Sequence, residues 1–137
     1  GGDRGDVLRQ QGVSLLLDTH ALLWWLSDAP TLSNEARDSI GDPSRVVFVS
    51  AATAWEISIK KAQGKLDAPN DLATEISSSG FQELPITVVQ AIAAVQLPNH
   101  HSDPFDRMLV AQARIENLTL VTRDSKMEKY DVPTLQA

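Results

Sequence analysis

Three short, almost uninterrupted apolar runs limit the fold of this chain more than any other feature. They are Val13-Ser14-Leu15-Leu16-Leu17, Val46-Val47-Phe48-Val49 and Leu118-Thr119-Leu120-Val121. Runs of this length without polar alternation suit strands buried on both faces, which belong to parallel sheets covered by helices. Helical stretches separate them. Asp18 or Thr19 can cap a helix through Leu26, and Ser33 a short one ending near Gly41. Ser50 opens a helix from Ala51 to about Gln63, stopped by Gly64, and another helix lies near Asp71 to Ser79. Phe81 to Leu84 reads as a short strand, and Thr87 caps a helix through Val95. Asp103 caps a helix with Pro104 at its first position, running to about Glu116 with Asn117 at its end. A last weak strand follows Tyr130. This alternation predicts an α/β fold: a three-layer α/β/α sandwich with a mainly parallel central sheet. Residues 13–137 read as a single domain. The glycine-rich polar stretch 1–12, which does not begin with Met, reads as a disordered tail.

The chemistry open to the chain is narrowed by what it lacks. Without cysteine it has neither disulfides nor thiolate metal sites, which fits a cytoplasmic protein. Any metal must be held by carboxylates, hydroxyls or the three histidines, and that favours a hard cation such as Mg²⁺ or Mn²⁺. No apolar run approaches the roughly 18 residues of a membrane helix, and no signal-peptide pattern leads the sequence. A net charge of −6 argues against gripping nucleic acid by bulk electrostatics. The same charge is expected if several acids converge on one cation-binding pocket.

Four acids could do so. Asp18 and Asp124 sit just past strand ends, at the edge where open parallel sheets bind ligands, although each also suits a helix cap or turn. Asp106 stands at the third position of its helix, where the helix dipole favours it. It heads an apolar stripe through Leu109, Val110 and Ala113 with no basic partner one turn on, so a metal is an equally good source of compensation. In the helix opened by Ser50, periodicity assigns Ala51, Trp55, Ile59 and Ala62 to the buried face. Glu56 falls beyond its edge, as a surface partner of Lys60. Clustered carboxylates repel one another unless a divalent cation or shared proton relieves them. A cation held by oxygens can activate water for attack on a phosphodiester.

Four segments carry a resemblance to a known family: Leu15 to Trp25, Ser50 to Ile57, Asp103 to Ala113 and Leu120 to Asp124. In that order and spacing the chain resembles PIN domains, and specifically VapC-type ribonuclease toxins. The resemblance implies that Asp18, Glu56, Asp106 and Asp124 form the family's acidic quartet. Asp18, Asp106 and Asp124 would hold Mg²⁺ or Mn²⁺, with Glu56 positioning the metal or its water. Thr122 matches a hydroxyl position near that site. The implied activity is endoribonucleolytic cleavage of RNA, leaving a 5′-phosphate and a 3′-hydroxyl. Toxin members dimerise and are silenced by a VapB-like antitoxin whose C-terminal segment enters the active-site groove. Between Asp103 and Asp106, the cap explanation fits Asp103 and leaves Asp106 as the ligand.

Other residues have plainer readings. His100 and His101 match no metal-site spacing and read as loop residues, one able to touch RNA. Trp24 and Trp25 read as core or dimer-interface side chains more than as base-stacking platforms. Arg107 and Arg123 neighbour proposed ligands and could bind substrate phosphates or an acidic antitoxin residue, or could simply be solvated. Lys60, Lys61 and Lys65 read as an exposed helix face. Two alternative functions stand beside the nuclease: a catalytically silent PIN-like binding module, and a receiver-like phospho-acceptor domain. The second expects an acid paired with Asp18 and a lysine after a late strand, but Asp18 has no acidic neighbour and Thr122-Arg123-Asp124 offers no lysine.

Overall fold

β1 (Leu15–Leu17) is the shortest route into the architecture, because its three leucines face two different cores. Leu15 and Leu17 point to one side of the sheet and Leu16 to the other, as the two-residue period of a strand requires. The computed structural model describes residues 13–137, and the tail expected over residues 1–12 lies outside the described residues. β1 is flanked on one side by β2 (Val47–Ser50) and then β3 (Gln82–Leu84). On the other side lie β4 (Thr119–Thr122) and then β5 (Thr134–Gln136). All four pairings are parallel, so the sheet is wholly parallel where the sequence predicted a mainly parallel one.

Parallel neighbours need crossovers, and among the described residues six α-helices supply them, with a 3₁₀ turn (Met127–Lys129) between β4 and β5. The helices are α1 (Thr19–Leu26), α2 (Asn34–Ile40), α3 (Ala51–Ala62), α4 (Leu72–Ser78), α5 (Val88–Gln96) and α6 (Pro104–Glu116). Ala21 and Leu22 of α1, Ala36 and Ile40 of α2, Ile57 of α3 and Ile76 of α4 join Leu15 and Leu17 in one core. Leu109, Val110 and Ala113 of α6 join Leu16 and Leu120 in the other. Helices thus cover both faces, giving the expected three-layer sandwich. No helix among the described residues is long and apolar enough to cross a membrane.

Local chemistry sets the helix ends. Asp18, Ser33, Ser50, Asp71, Thr87 and Asp103 each accept a backbone N–H from the first turn of the helix they precede. Thr87 does so in a reciprocal capping box with Gln90. α6 begins with Pro104 and ends on Asn117 in the left-handed conformation, at φ 59°. The chain leaves β1 toward β2 and β3, and later returns through α6 to enter β4 on β1's other side. β1 and β4 therefore flank the point where the strand order reverses, and a crevice opens there at their C-terminal ends.

Candidate active site

That crevice is a cleft of about 270 Å³ whose walls include Asp18, Glu56, Asp106 and Asp124. The four carboxylates come from four elements. Asp18 follows β1 and caps α1, accepting from the backbone of Ala21 at 2.9 Å, and it is buried. It is therefore both the expected cap and a cleft residue. Burial pushes its carboxyl above the usual range, against the pull of the Ala21 N–H and the Thr122 hydroxyl. Asp124 follows β4. Its backbone N–H donates to Thr122 Oγ1 at 3.0 Å, and its Oδ1 accepts from the Lys126 backbone at 2.9 Å, which fixes the turn. Thr122 is fully buried behind it and shapes the turn that presents Asp124.

Glu56 corrects one expectation. The buried face of α3 is Ala52, Thr53, Glu56 and Ile57, whereas Ala51 and Ala62 are exposed and Trp55 is 63% exposed. Apolar periodicity pointed elsewhere because this helix lines a polar cleft. One of its inward positions carries Glu56, which hydrogen-bonds at the cleft, and Trp55 instead meets Phe105 edge to face at 5.5 Å. Glu56 accepts hydrogen bonds from the Thr19 hydroxyl on one oxygen and the Lys60 ammonium on the other. The pair with Lys60 exists as the sequence suggested, but at the cleft wall, and Lys60 belongs to the site instead of to a plain solvated face. Donating to Glu56 also raises the pKa of the Lys60 ammonium above its ordinary value.

Asp103 and Asp106 both face the cleft. Asp103 caps α6 by accepting from the Asp106 backbone at 2.9 Å, as expected. The Asp106 carboxyl is pushed up to about 7, first by burial and then by the charge of Asp103, with His101 opposing and Glu56 and Asp18 adding to the rise. His101 is the residue the sequence undervalued. It lies on the loop before α6, yet its Nε2 is 2.8 Å from Asp106 Oδ2 and 3.0 Å from Asp124 Oδ2. Nothing in its local spacing signals this, because both contacts depend on the tertiary fold. His100 points away from these acids and packs edge-on against Tyr130 at 5.0 Å.

The two arginines differ. Arg123 lines the cleft, but its guanidinium donates to the main-chain oxygens of Thr31 and Ala137 and lies 4.7 Å over Trp24. Arg107 turns away from the cleft. Its guanidinium donates to the carbonyls of Ala94, Val95, Leu97, Pro98 and His101 and to Tyr130 Oη, so it is a clamp on the α5–α6 loop with no donor turned to a phosphate. Trp24 is half-buried at the rim, beside His20 at 5.6 Å, and Trp25 packs on Phe81 in the core.

The donor set fits a hard divalent cation. Carboxylate oxygens of Asp106 and Asp124 lie within 4.8 Å of each other, beside His101, with the buried, desolvated Asp18 on the same wall. The Asp106 carboxyl is raised first by burial and then by the neighbouring Asp103 charge, and a cation at this point would offset both.

Known proteins share this frame. A PIN-domain family model matches residues 15–133. The chain is 31% identical over 127 residues to Ribonuclease VapC22 of Mycobacterium tuberculosis (strain ATCC 25618 / H37Rv), covering 88% of this chain and 94% of that protein. Its fold is similar to that of chains in two solved assemblies. One is DNA-bound VapBC from Salmonella typhimurium, with a TM-score of 0.67, 19% identity and coverage of 90% and 97% of the two chains. The other is VapBC2 from Rickettsia felis bound to a promoter DNA fragment, with a TM-score of 0.66, 12% identity and coverage of 90% and 98%.

Proposed function

The chain belongs to the PIN-domain family, and from that premise we propose that it is a Mg²⁺- or Mn²⁺-dependent endoribonuclease, the toxin of a toxin–antitoxin pair. Residues 13–137 would act as one nuclease domain. The observation that carries this reading is the convergence of Asp18, Glu56, Asp106 and Asp124 on one cleft at the sheet's switch point. Such a cluster is destabilising unless something cationic joins it. Asp18, Asp106 and Asp124 would hold the ion. When bound, it supplies Lewis acidity toward the scissile phosphate and offsets the carboxylate charge.

The protein's own groups divide the remaining work. Both oxygens of Glu56 are engaged, by Thr19 and Lys60, so its orientation is fixed and one lone pair on each remains to align an attacking water. The Lys60 ammonium stands among the acids, where it limits their repulsion and can meet a non-bridging phosphate oxygen. Trp24, at the cleft wall with Arg123 over its ring, would offer a stacking surface to a base. Attack of water on phosphorus with departure of the 3′-oxygen leaves a 5′-phosphate and a 3′-hydroxyl.

Two surfaces support the partners. A groove of about 510 Å³ lined by Leu23, Trp24, Leu66 and Pro69 adjoins the cleft, sharing His20 and Trp24 with it. An antitoxin segment lying there would reach the carboxylates. On α5, Val88, Val89, Ile92 and Val95 form an exposed apolar face of the kind a homodimer buries.

The test is incubation of purified protein with a total bacterial RNA pool in Mg²⁺, Mn²⁺ or EDTA, alongside Asp106→Asn. Discrete, metal-dependent cleavage that disappears in the variant is expected. Folded, partner-free protein that cuts nothing with either metal would overturn the nuclease reading in favour of a silent binding module.

A further inference from the structure

His101 stands between two acids that belong to separate elements, Asp106 in α6 and Asp124 in the turn after β4. Its backbone is held independently of them. The His101 N–H donates to Tyr130 Oη at 2.9 Å, and its carbonyl accepts from Arg107 Nη1 at 3.0 Å. Tyr130 Oη in turn donates to Pro98 O at 2.8 Å, so the loop before α6 is closed around the buried tyrosine. The ring is oriented as well, since Nδ1 accepts the backbone N–H of Asp103 at 3.3 Å. A nitrogen that accepts carries no proton, so the ring proton sits on Nε2, the atom aimed at both carboxylates.

This tautomer decides what His101 can do. An Nε2 that donates has no lone pair to give a cation, so the ring is a partner of the ligands and not one of them. Carboxylates this close repel, and without a donor between them each would turn toward solvent. We infer that His101 is a positioning residue: its Nε2–H draws Asp106 and Asp124 to a common point and sets their separation before a cation arrives. The remaining lone pairs of the two carboxylates stay available to that cation. The inference rests on the metal-dependent reading above.

The test uses wild type, His101→Ala, His101→Gln and Asp106→Asn, each shown to be folded by circular dichroism. Mn²⁺ affinity is measured by calorimetry, and nitrogen coupling to bound Mn²⁺ by pulsed electron paramagnetic resonance. Loss of the ring should weaken Mn²⁺ binding about 10- to 100-fold, the range for partners that orient a metal ligand. Glutamine, whose amide N–H₂ can reach the position of Nε2, should restore affinity to within a few-fold. Wild-type Mn²⁺ should show no directly bound nitrogen. An unchanged affinity in His101→Ala, with binding lost in Asp106→Asn, would overturn the positioning role and leave the metal site standing. Equal weakening by Ala and Gln, or a nitrogen coupling that vanishes in His101→Ala, would overturn it in favour of direct ligation. No Mn²⁺ binding by wild type would overturn the metal reading and this inference with it.

Discussion

At the scale of the residue, the displaced carboxyl of Asp106 has a sign that can be measured. Its ordinary value is near 4, and burial with the adjacent Asp103 charge raises it to about 7 in the folded protein. Between those values the folded chain holds a proton that the unfolded chain has lost, so stability falls as pH rises through this window. Asp18, raised by burial, adds to the same trend. The exposed Asp42 and Asp71 are shifted the other way, by hydrogen bonds from Ser44 and Thr74, and lose their contribution only at more acid pH. In EDTA the protein should therefore melt at a higher temperature at pH 5 than at pH 7.5, with Mn²⁺ closing the gap. Asp106→Asn should abolish RNA cleavage yet stabilise the metal-free protein at pH 7.5 by about 1–3 kcal/mol, a figure reduced from the full shift because the carboxyl retains some contact with water. Calorimetric unfolding checks both, and a variant less stable than wild type would contradict the argument. Asp18, Asp106 and Asp124 were legible in the sequence because each adjoins a strand end or a helix start, whereas Glu56, read from periodicity as a surface partner of Lys60, entered the cluster only through the family resemblance. His101 was not legible, because what matters about it is where a loop returns in space.

At the scale of the element, α6 depends on a single side chain more than its cap and hydrophobic stripe suggest. Arg107 reaches back from its first turn to hold the end of α5 and the loop that carries His101. Arg107→Ala should leave several carbonyls without a donor and lower stability by about 2–4 kcal/mol, read by denaturant unfolding. Amide exchange over Leu97 to Asp103 should accelerate. Arg107→Lys should recover little, since a point charge cannot serve five carbonyls in fixed directions. The sequence showed an arginine beside a proposed ligand and could not show which way it turned. The helices themselves were legible almost to the residue, because Ser, Thr and Asp caps, Pro104, Gly64 and Asn117 mark their ends by local chemistry alone. The buried face of α3 was not, since its inward side is chosen by the cleft against its own apolar pattern.

At the scale of the whole molecule, the apolar face of α5 is the surface most in need of a partner. Val95 is 80% exposed and Val88 76%. Wild type should run as a dimer by light scattering and a Val88→Glu, Val95→Glu double variant as a monomer, with RNA cleavage per chain reduced less than tenfold. An unchanged mass would place any dimer contact elsewhere. The layer order was legible because buried parallel strands announce themselves as apolar runs. The strand order was not, because parallel pairing between β1 and β4 joins segments that local signals cannot connect. That pairing bears on how such a protein is made. Asp18 leaves the ribosome early, but its backbone N–H is satisfied by Val121 and the acids it faces arrive with α6 and β4. A growing chain that has not reached residue 119 has every local element of its first half and no completed cleft. For an enzyme proposed to destroy RNA, the late closure of β4 against β1 works as a delay. On that reading, RNA would be exposed to it only once synthesis has passed the segment that completes the site.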